Sequence, residues 1–147
     1  MLNKTLIGHV PDPVELPVEE GRLKFVAKAL GQTNPVYSDL DAARAAGYPH
    51  LPAPPTFPFM LEVDALGLVD FMALVGQDLK KLLHGEQSFA YHHPICAGDR
   101  ITIVKTITDI FDKKNGMLEF LVSENTFTNQ AGILCAATRT NYVFRNA

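Results

Sequence analysis

Gln32 and Tyr37 flank an Asn-Pro turn in the stretch ALGQTNPVYSDLDAARAAGY, residues 29–48. A glycine after an apolar run, then Asn34-Pro35, then a short Ala-rich helix make a tight bend that can present two side chains to one substrate. The chemistry two such side chains can divide is proton transfer, which needs groups that titrate near the working pH. Gln32 has no titratable group, and a tyrosine with the ordinary pKa of about 10 is a poor base at neutral pH. Other candidates for proton transfer are His50, His84, His92 and His93, with Asp39, Asp41 and Glu86. Asp39 and Asp41 read better as helix-start residues, where carboxylates favour the dipole. His92 and His93, as neighbours on one strand, are expected to point to opposite faces, so at most one can face a given site. No cluster has zinc-ligand spacing, and neither a metal nor a cofactor is expected.

The elements that must hold these residues fit in one domain, residues 1–147. Composition is that of a soluble globular protein, 47% hydrophobic and 20% charged. A net charge of -3 without a basic patch excludes phosphate-backbone binding, so no nucleic-acid partner is expected. Cys96 and Cys135 are too few for a disulfide framework and lie in apolar runs, which predicts small buried side chains. The N-terminal MLNKTLIGHVPDP has no signal-peptide pattern. ALGLVDFMALVG is broken by Asp70 and too short to span a bilayer, so a cytoplasmic protein is expected.

Up to about Leu83 the chain reads as helical and Pro-rich, and after His84 as strands. PVEEGRLKFVAKALG is a helix with Leu23, Val26, Ala27 and Leu30 on its apolar face and Gly31 as the left-handed cap. Ser38 with Asp41 fits a capping box for a second short helix ending at Gly47. LPAPPTFPFM has too many prolines for helix or central strand and is expected as an ordered extended loop. FMLEVDALGLVDFMALVG, apolar on most sides, reads as a buried helix. Four strands follow: HGEQSFAYHHPI, Arg100 to Asp112, Met117 to Thr128, and Ile133 to Phe144. Lys113 to Gly116 and Asn129 to Gly132 supply turns, the first with an Asn-Gly pair. The fold class is α+β: four antiparallel strands in meander order, curled around one buried helix.

Three blocks, GQTNPVYSDLDAARAAGY, APPTF at 53–57 and HGEQSFAYHHPICAGD, resemble the MaoC-like hydratase/dehydratase family. The likeness is to its N-terminal, FAS1-like dehydratase half and to the non-catalytic subunits of (3R)-hydroxyacyl-ACP dehydratases. It implies a hot-dog fold, an acyl-CoA or acyl-ACP thioester as ligand, and a homodimer or a heterodimer with a catalytic hot-dog subunit. Active R-specific members carry Gly-Asp-x-Asn-Pro-x-His, whose Asp and His share one water in adding it to an enoyl thioester. Gly31, Asn34 and Pro35 keep that frame here, while Gln32 and Tyr37 stand at the Asp and His positions. The resemblance therefore implies a chain that is catalytically silent alone, with His84 and His92 the remaining candidates for chemistry.

Asn34, Pro55, Thr56, Phe57, Phe59 and Met60 are the substrate-binding candidates. APPTF shapes either the mouth of an acyl pocket or a rigid loop before a helix. Lys80 and Lys81 could meet a phosphate of the thioester carrier, or form an ordinary solvated face. Three readings of function stay open: a non-catalytic subunit, a homodimeric hydratase using Tyr37 or a histidine, and an acyl-thioester binding module without chemistry. The hot-dog thioesterases are a further possibility that the three blocks disfavour.

Overall fold

The computed structural model of the chain describes residues 1–146. Its strands are β1 (Val14–Pro17), β2 (Leu82–Tyr91), β3 (Arg100–Lys113), β4 (Leu118–Thr128) and β5 (Leu134–Arg145). Its helices are α1 (Glu20–Ala29), α2 (Leu40–Ala45), α3 (Phe57–Leu66) and α4 (Leu68–Val75). The antiparallel sheet has the order β1-β3-β4-β5-β2. The α+β class is as expected, but the strand count and the meander order are not.

Only β3-β4-β5 follow one another in space. Their hairpins close tightly: Lys114, Asn115 and Gly116 all take positive φ, and the Asn129 side chain accepts from Ala131 N and Ile133 N at 3.0 Å. The segment after Tyr91 has no such turn. It crosses instead to the far side of the sheet, bridging Pro52 to Cys96 on the way, and β2 is left on the outer side of β5. β1 pairs with β3, supplying the fifth strand that its four residues were too short to announce.

The expected single buried helix is two. Gly67, at φ 61 and ψ 131, ends α3 and opens α4, a backbone conformation that β-carbon-bearing residues rarely adopt. α3 also starts earlier than expected, at Phe57, because Pro58 sits in the first turn, where its missing N–H is not needed. α2 is capped by Asp39, which accepts from Ala42 N at 2.8 Å, not by Ser38. Leu30 caps α1 and is largely exposed, outside the buried stripe of Leu23, Val26 and Ala27.

α3 lies against β1, β3 and β5, and the apolar core divides into two clusters. One gathers Leu23, Leu51, Phe57, Leu61, Ile101 and Phe127. The other gathers Phe71, Met72, Ile107, Leu121 and Phe144. Each fully buried large side chain contributes about 1.5–3 kcal/mol by leaving water. Cys96 and Cys135 are buried and free, as the sequence suggested.

Gly85 sits at the β2 irregularity between His84 and Glu86. A β-carbon there would lie 2.7 Å from Val143 Cγ2 and 3.0 Å from the Asn141 carbonyl oxygen. The carbonyl belongs to the β5 backbone and cannot step aside. Gly85→Ala is therefore expected to cost about 1–3 kcal/mol as overpacking, read as a lower urea midpoint with an unchanged slope.

Candidate functional site

The degenerate turn is built by local hydrogen bonds. Gly31 takes φ 68 after α1, and the Asn34 side chain accepts from Val36 N at 3.1 Å, starting a short turn of 3-10 helix over Pro35–Tyr37. Asn34 is thus committed to holding the loop. The turn buries Val36 and packs Tyr37 against the first core cluster, whereas Gln32 is left exposed.

Tyr37 lines a cavity of about 320 Å³ at the N-terminal end of α3. Pro54, Pro55 and Pro58 form one wall, and Tyr91, His92 and His93 another. The Tyr91 hydroxyl donates to the Pro55 carbonyl at 2.7 Å, tying the end of β2 to the proline loop. The strand on which His92 and His93 were expected to alternate between faces stops short of them. β2 ends at Tyr91, and the amides of both histidines turn to donate to the Cys135 carbonyl, at 2.8 and 3.0 Å. Strand alternation no longer applies, and both residues line the same cavity.

Among the described residues no aspartate or glutamate lines this cavity. Asp99 lies close in sequence, but its carboxylate accepts from Cys96 N at 2.8 Å and from the Gln130 side chain at 3.1 Å, closing the turn before β3. Cys135 reaches the cavity, yet burial, assisted by the Asp99 carboxylate, pushes its thiol up and away from a reactive thiolate. Among the described residues no three His, Cys, Asp or Glu side chains gather to hold a metal ion. Among the described residues no helix is long and apolar enough to cross a membrane.

The other candidates scatter. His50 is occupied locally: its Nδ1 accepts from Leu51 N at 2.9 Å and its Nε2 lies 3.8 Å from Glu20. Phe57 is wholly buried in the core, with the Arg22 guanidinium 5.5 Å from its ring centre. Met60 packs on the same cluster, and Thr56 is exposed without a capping bond. Phe59 and His84 meet edge to face at 5.0 Å and line a second cavity of about 160 Å³, further along α3. Of the predicted residues, then, Tyr37, Pro55 and His92 come together, Phe59 and His84 come together elsewhere, and Gln32 joins neither.

The second cavity also touches a group that the residue-by-residue reading missed. Glu62 projects from α3 between the two core clusters and is 2% exposed; Lys105, on β3, is 5% exposed. The Glu62 carboxylate accepts from Lys105 Nζ at 3.1 Å, from the Tyr142 hydroxyl at 2.7 Å, and from Thr138 and Thr140 at 3.1–3.2 Å. Lys105 Nζ also donates to the Tyr142 oxygen at 3.0 Å and stands 4.5 Å from the centre of the Phe71 ring. Burial holds the Lys105 ammonium below the usual lysine range, and pushes the Tyr142 hydroxyl far above the tyrosine range, with the Glu62 charge adding to it. The signal was present in RITIVKTI: a period of two places Lys105 on the face shared by Ile101, Ile103 and Ile107.

Over residues 5–138 the sequence matches the FAS1-like, dehydratase domain region. A UPF0336 protein of Streptomyces avermitilis is 42% identical over 111 residues, spanning 74% of this chain and 73% of its own. The C-terminally truncated HadBC (3R-hydroxyacyl-ACP dehydratase) complex of Mycobacterium tuberculosis contains a similar chain. It has a TM-score of 0.80 and 26% identity, over 94% of this chain and 96% of that one. A MaoC-like dehydratase is similar at a TM-score of 0.85 and 26% identity, over 97% of this chain but 43% of that longer protein. The kept Gly31-Asn34-Pro35 frame, the helix-in-sheet architecture and these matches agree: the chain belongs to the FAS1-like dehydratase domain family and has the hot-dog fold of MaoC-like dehydratases.

Proposed function

We propose that this chain is a non-catalytic hot-dog subunit of a cytoplasmic R-specific enoyl hydratase or 3-hydroxyacyl dehydratase, acting on acyl-CoA or acyl-ACP in fatty acid metabolism. It acts as a single domain over residues 1–147. One observation carries the reading: the cavity beside the Asn34-Pro35 turn is lined by tyrosines, histidines and prolines and, among the described residues, by no carboxylate, while Gln32 stands outside it. Water addition needs a base matched to neutral pH and an acid beside it, and this cavity offers no Asp–His pair. A second hot-dog chain bearing Gly-Asp-x-Asn-Pro-x-His supplies that pair, and this chain contributes acyl-binding wall. The likeness to a chain of a two-subunit dehydratase complex supports the pairing.

The free edge of β2 is the natural seam. β2 is ten residues long and paired on one side only, with Leu83 and Tyr91 more than half exposed. β1, at the opposite edge, has four residues and ends in Pro17, which makes it a poor template. Edge-to-edge pairing through β2 would join two sheets and place the proline-walled cavity beside the partner.

Co-expression with such a chain, followed by co-purification and an assay of crotonyl thioester hydration, tests this. A stable, active pair is the expected outcome. Full activity of this chain alone with no pair formed would overturn it. The alternative, a homodimeric hydratase, draws support from Tyr37, His92 and His93 sharing one cavity, and requires turnover by the lone chain that Tyr37→Phe or His92→Ala abolishes. Calorimetry that finds acyl-CoA binding to the lone chain, with no hydration in any pairing, would instead mark an acyl-thioester binding module.

A further inference from the structure

A lysine–glutamate pair in the middle of a hydrophobic core is a poor device for stability, since well-packed apolar residues of similar volume do as well or better. Here the pair does not lie in packed surroundings. It forms the polar end of the 160 Å³ cavity between the α3–α4 break and the start of β2, whose other walls include Val63, Leu66, Phe71 and Leu82. A dry cavity of about 150 Å³ is large enough for a six-membered carbon ring, so this one takes roughly six heavy atoms.

The donors and acceptors at its end can be counted. The Glu62 carboxylate accepts from Lys105, Tyr142 and Thr138, and the single hydroxyl proton of Thr140 is shared between Glu62 at 3.1 Å and the Gln87 side-chain oxygen at 2.8 Å. The Tyr142 hydroxyl donates to Glu62 and accepts from Lys105. An ammonium has three N–H groups. Two of those on Lys105 go to Glu62 and Tyr142, which leaves one without a protein acceptor among the described residues. Lys105 is 5% exposed, so bulk water does not take up that donor freely. Phe71, whose ring the ammonium faces, lines the cavity with it.

We propose that this cavity binds an uncharged aliphatic group carrying one hydroxyl or carbonyl oxygen, with the oxygen accepting from Lys105. Charge balance selects a neutral ligand. The Glu62–Lys105 pair sums to zero, so an entering carboxylate or ammonium would place an uncompensated charge against mostly apolar walls. A pure hydrocarbon fills the walls but leaves the Lys105 donor unanswered and loses a charge-assisted hydrogen bond. The site stands independently of the proposed pairing of subunits, since it rests on residues of this chain alone.

The test uses the full chain with methyl-labelled Val, Leu and Ile and four probes of about five or six heavy atoms: cyclopentanol, cyclopentane, cyclopropanecarboxylate and cyclopentylammonium. Cyclopentanol should give saturable shifts at the Val63, Leu66 and Leu82 methyls, about tenfold tighter than cyclopentane, a difference expected of one hydrogen bond to a charged group. The two ions should give none. In the folded double variant Lys105→Met/Glu62→Leu the order should reverse, with cyclopentane the tighter ligand. Binding of cyclopentane as tight as cyclopentanol in the native chain, binding of either ion, or no saturable shift at these methyls would each overturn the proposal. So would cyclopentanol affinity unchanged in the double variant. Should that variant fail to fold, the comparison of the four probes on the native chain still decides.

Discussion

Glu62→Leu should destabilise the chain by about 3–5 kcal/mol, the cost of breaking a buried ion pair from one side. The carboxylate is the hub of the polar cluster, and its removal strands the Lys105 ammonium and takes the acceptor from the Tyr142 and Thr138 hydroxyls, while Thr140 keeps its bond to Gln87. Urea unfolding at neutral pH reads the loss directly. The double variant Lys105→Met/Glu62→Leu should recover most or all of it, because no charge is then left in the core.

The pH dependence has a defined sign. Burial lowers the Lys105 pKa in the folded chain, so between that lowered value and the ordinary lysine value of about 10.4 the unfolded chain binds the extra proton, and stability rises with pH. The penalty of Glu62→Leu should therefore shrink from neutral pH toward pH 10. Tyr142 acts in the opposite direction. Its folded pKa is raised, so above about pH 10 the unfolded chain loses the phenolic proton while the folded chain keeps it, and stability falls. A profile that is flat from pH 7 to 10 in the single variant would show that Lys105 escapes to water instead of staying buried.

Adding the proposed catalytic partner should raise the rate of crotonyl thioester hydration by about 10²–10⁴ over this chain alone, the usual contribution of general acid–base groups. The same logic sets the effect of changes on this side of the pair. Gln32→Ala and Tyr37→Phe should leave kcat of the complex within about twofold, since in the proposed pair neither group handles the proton. Substitutions in the proline wall, such as Pro55→Gly, should act on KM by loosening the Tyr91–Pro55 tie. A fall in kcat of more than a hundredfold in Tyr37→Phe would move the chemistry onto this chain.

The likeness of the chain to its family was readable in local patterns, for physical reasons that act over a few residues. Gly31 and Asn34 serve the turn they sit in, Asn115-Gly116 closes its own hairpin, and the alternation in β3 to β5 follows from one face being buried. Properties that depend on distant partners were misread. His92 and His93 share a cavity because both amides turn to one carbonyl on β5, and no spacing within YHHP reports that. Among the substrate-binding candidates Asn34 lies apart in the turn, and the stretch 55–60 is divided by the fold: Pro55 lines the larger cavity, Phe59 the smaller, and Phe57 packs in the core.

Sequence alone determined the α+β class, the run of helices ahead of the long strands, the absence of an Asp–His pair from the Gly31–Tyr37 turn, and the burial of both cysteines. Each follows from the type and spacing of neighbouring side chains. Only the tertiary structure decided the strand order, the break at Gly67, the grouping of tyrosines and histidines, and the meeting of Glu62 with Lys105 across 43 residues of chain. These depend on which surfaces close over one another when the sheet curls around α3, a choice set by packing and charge pairing between segments far apart in the chain.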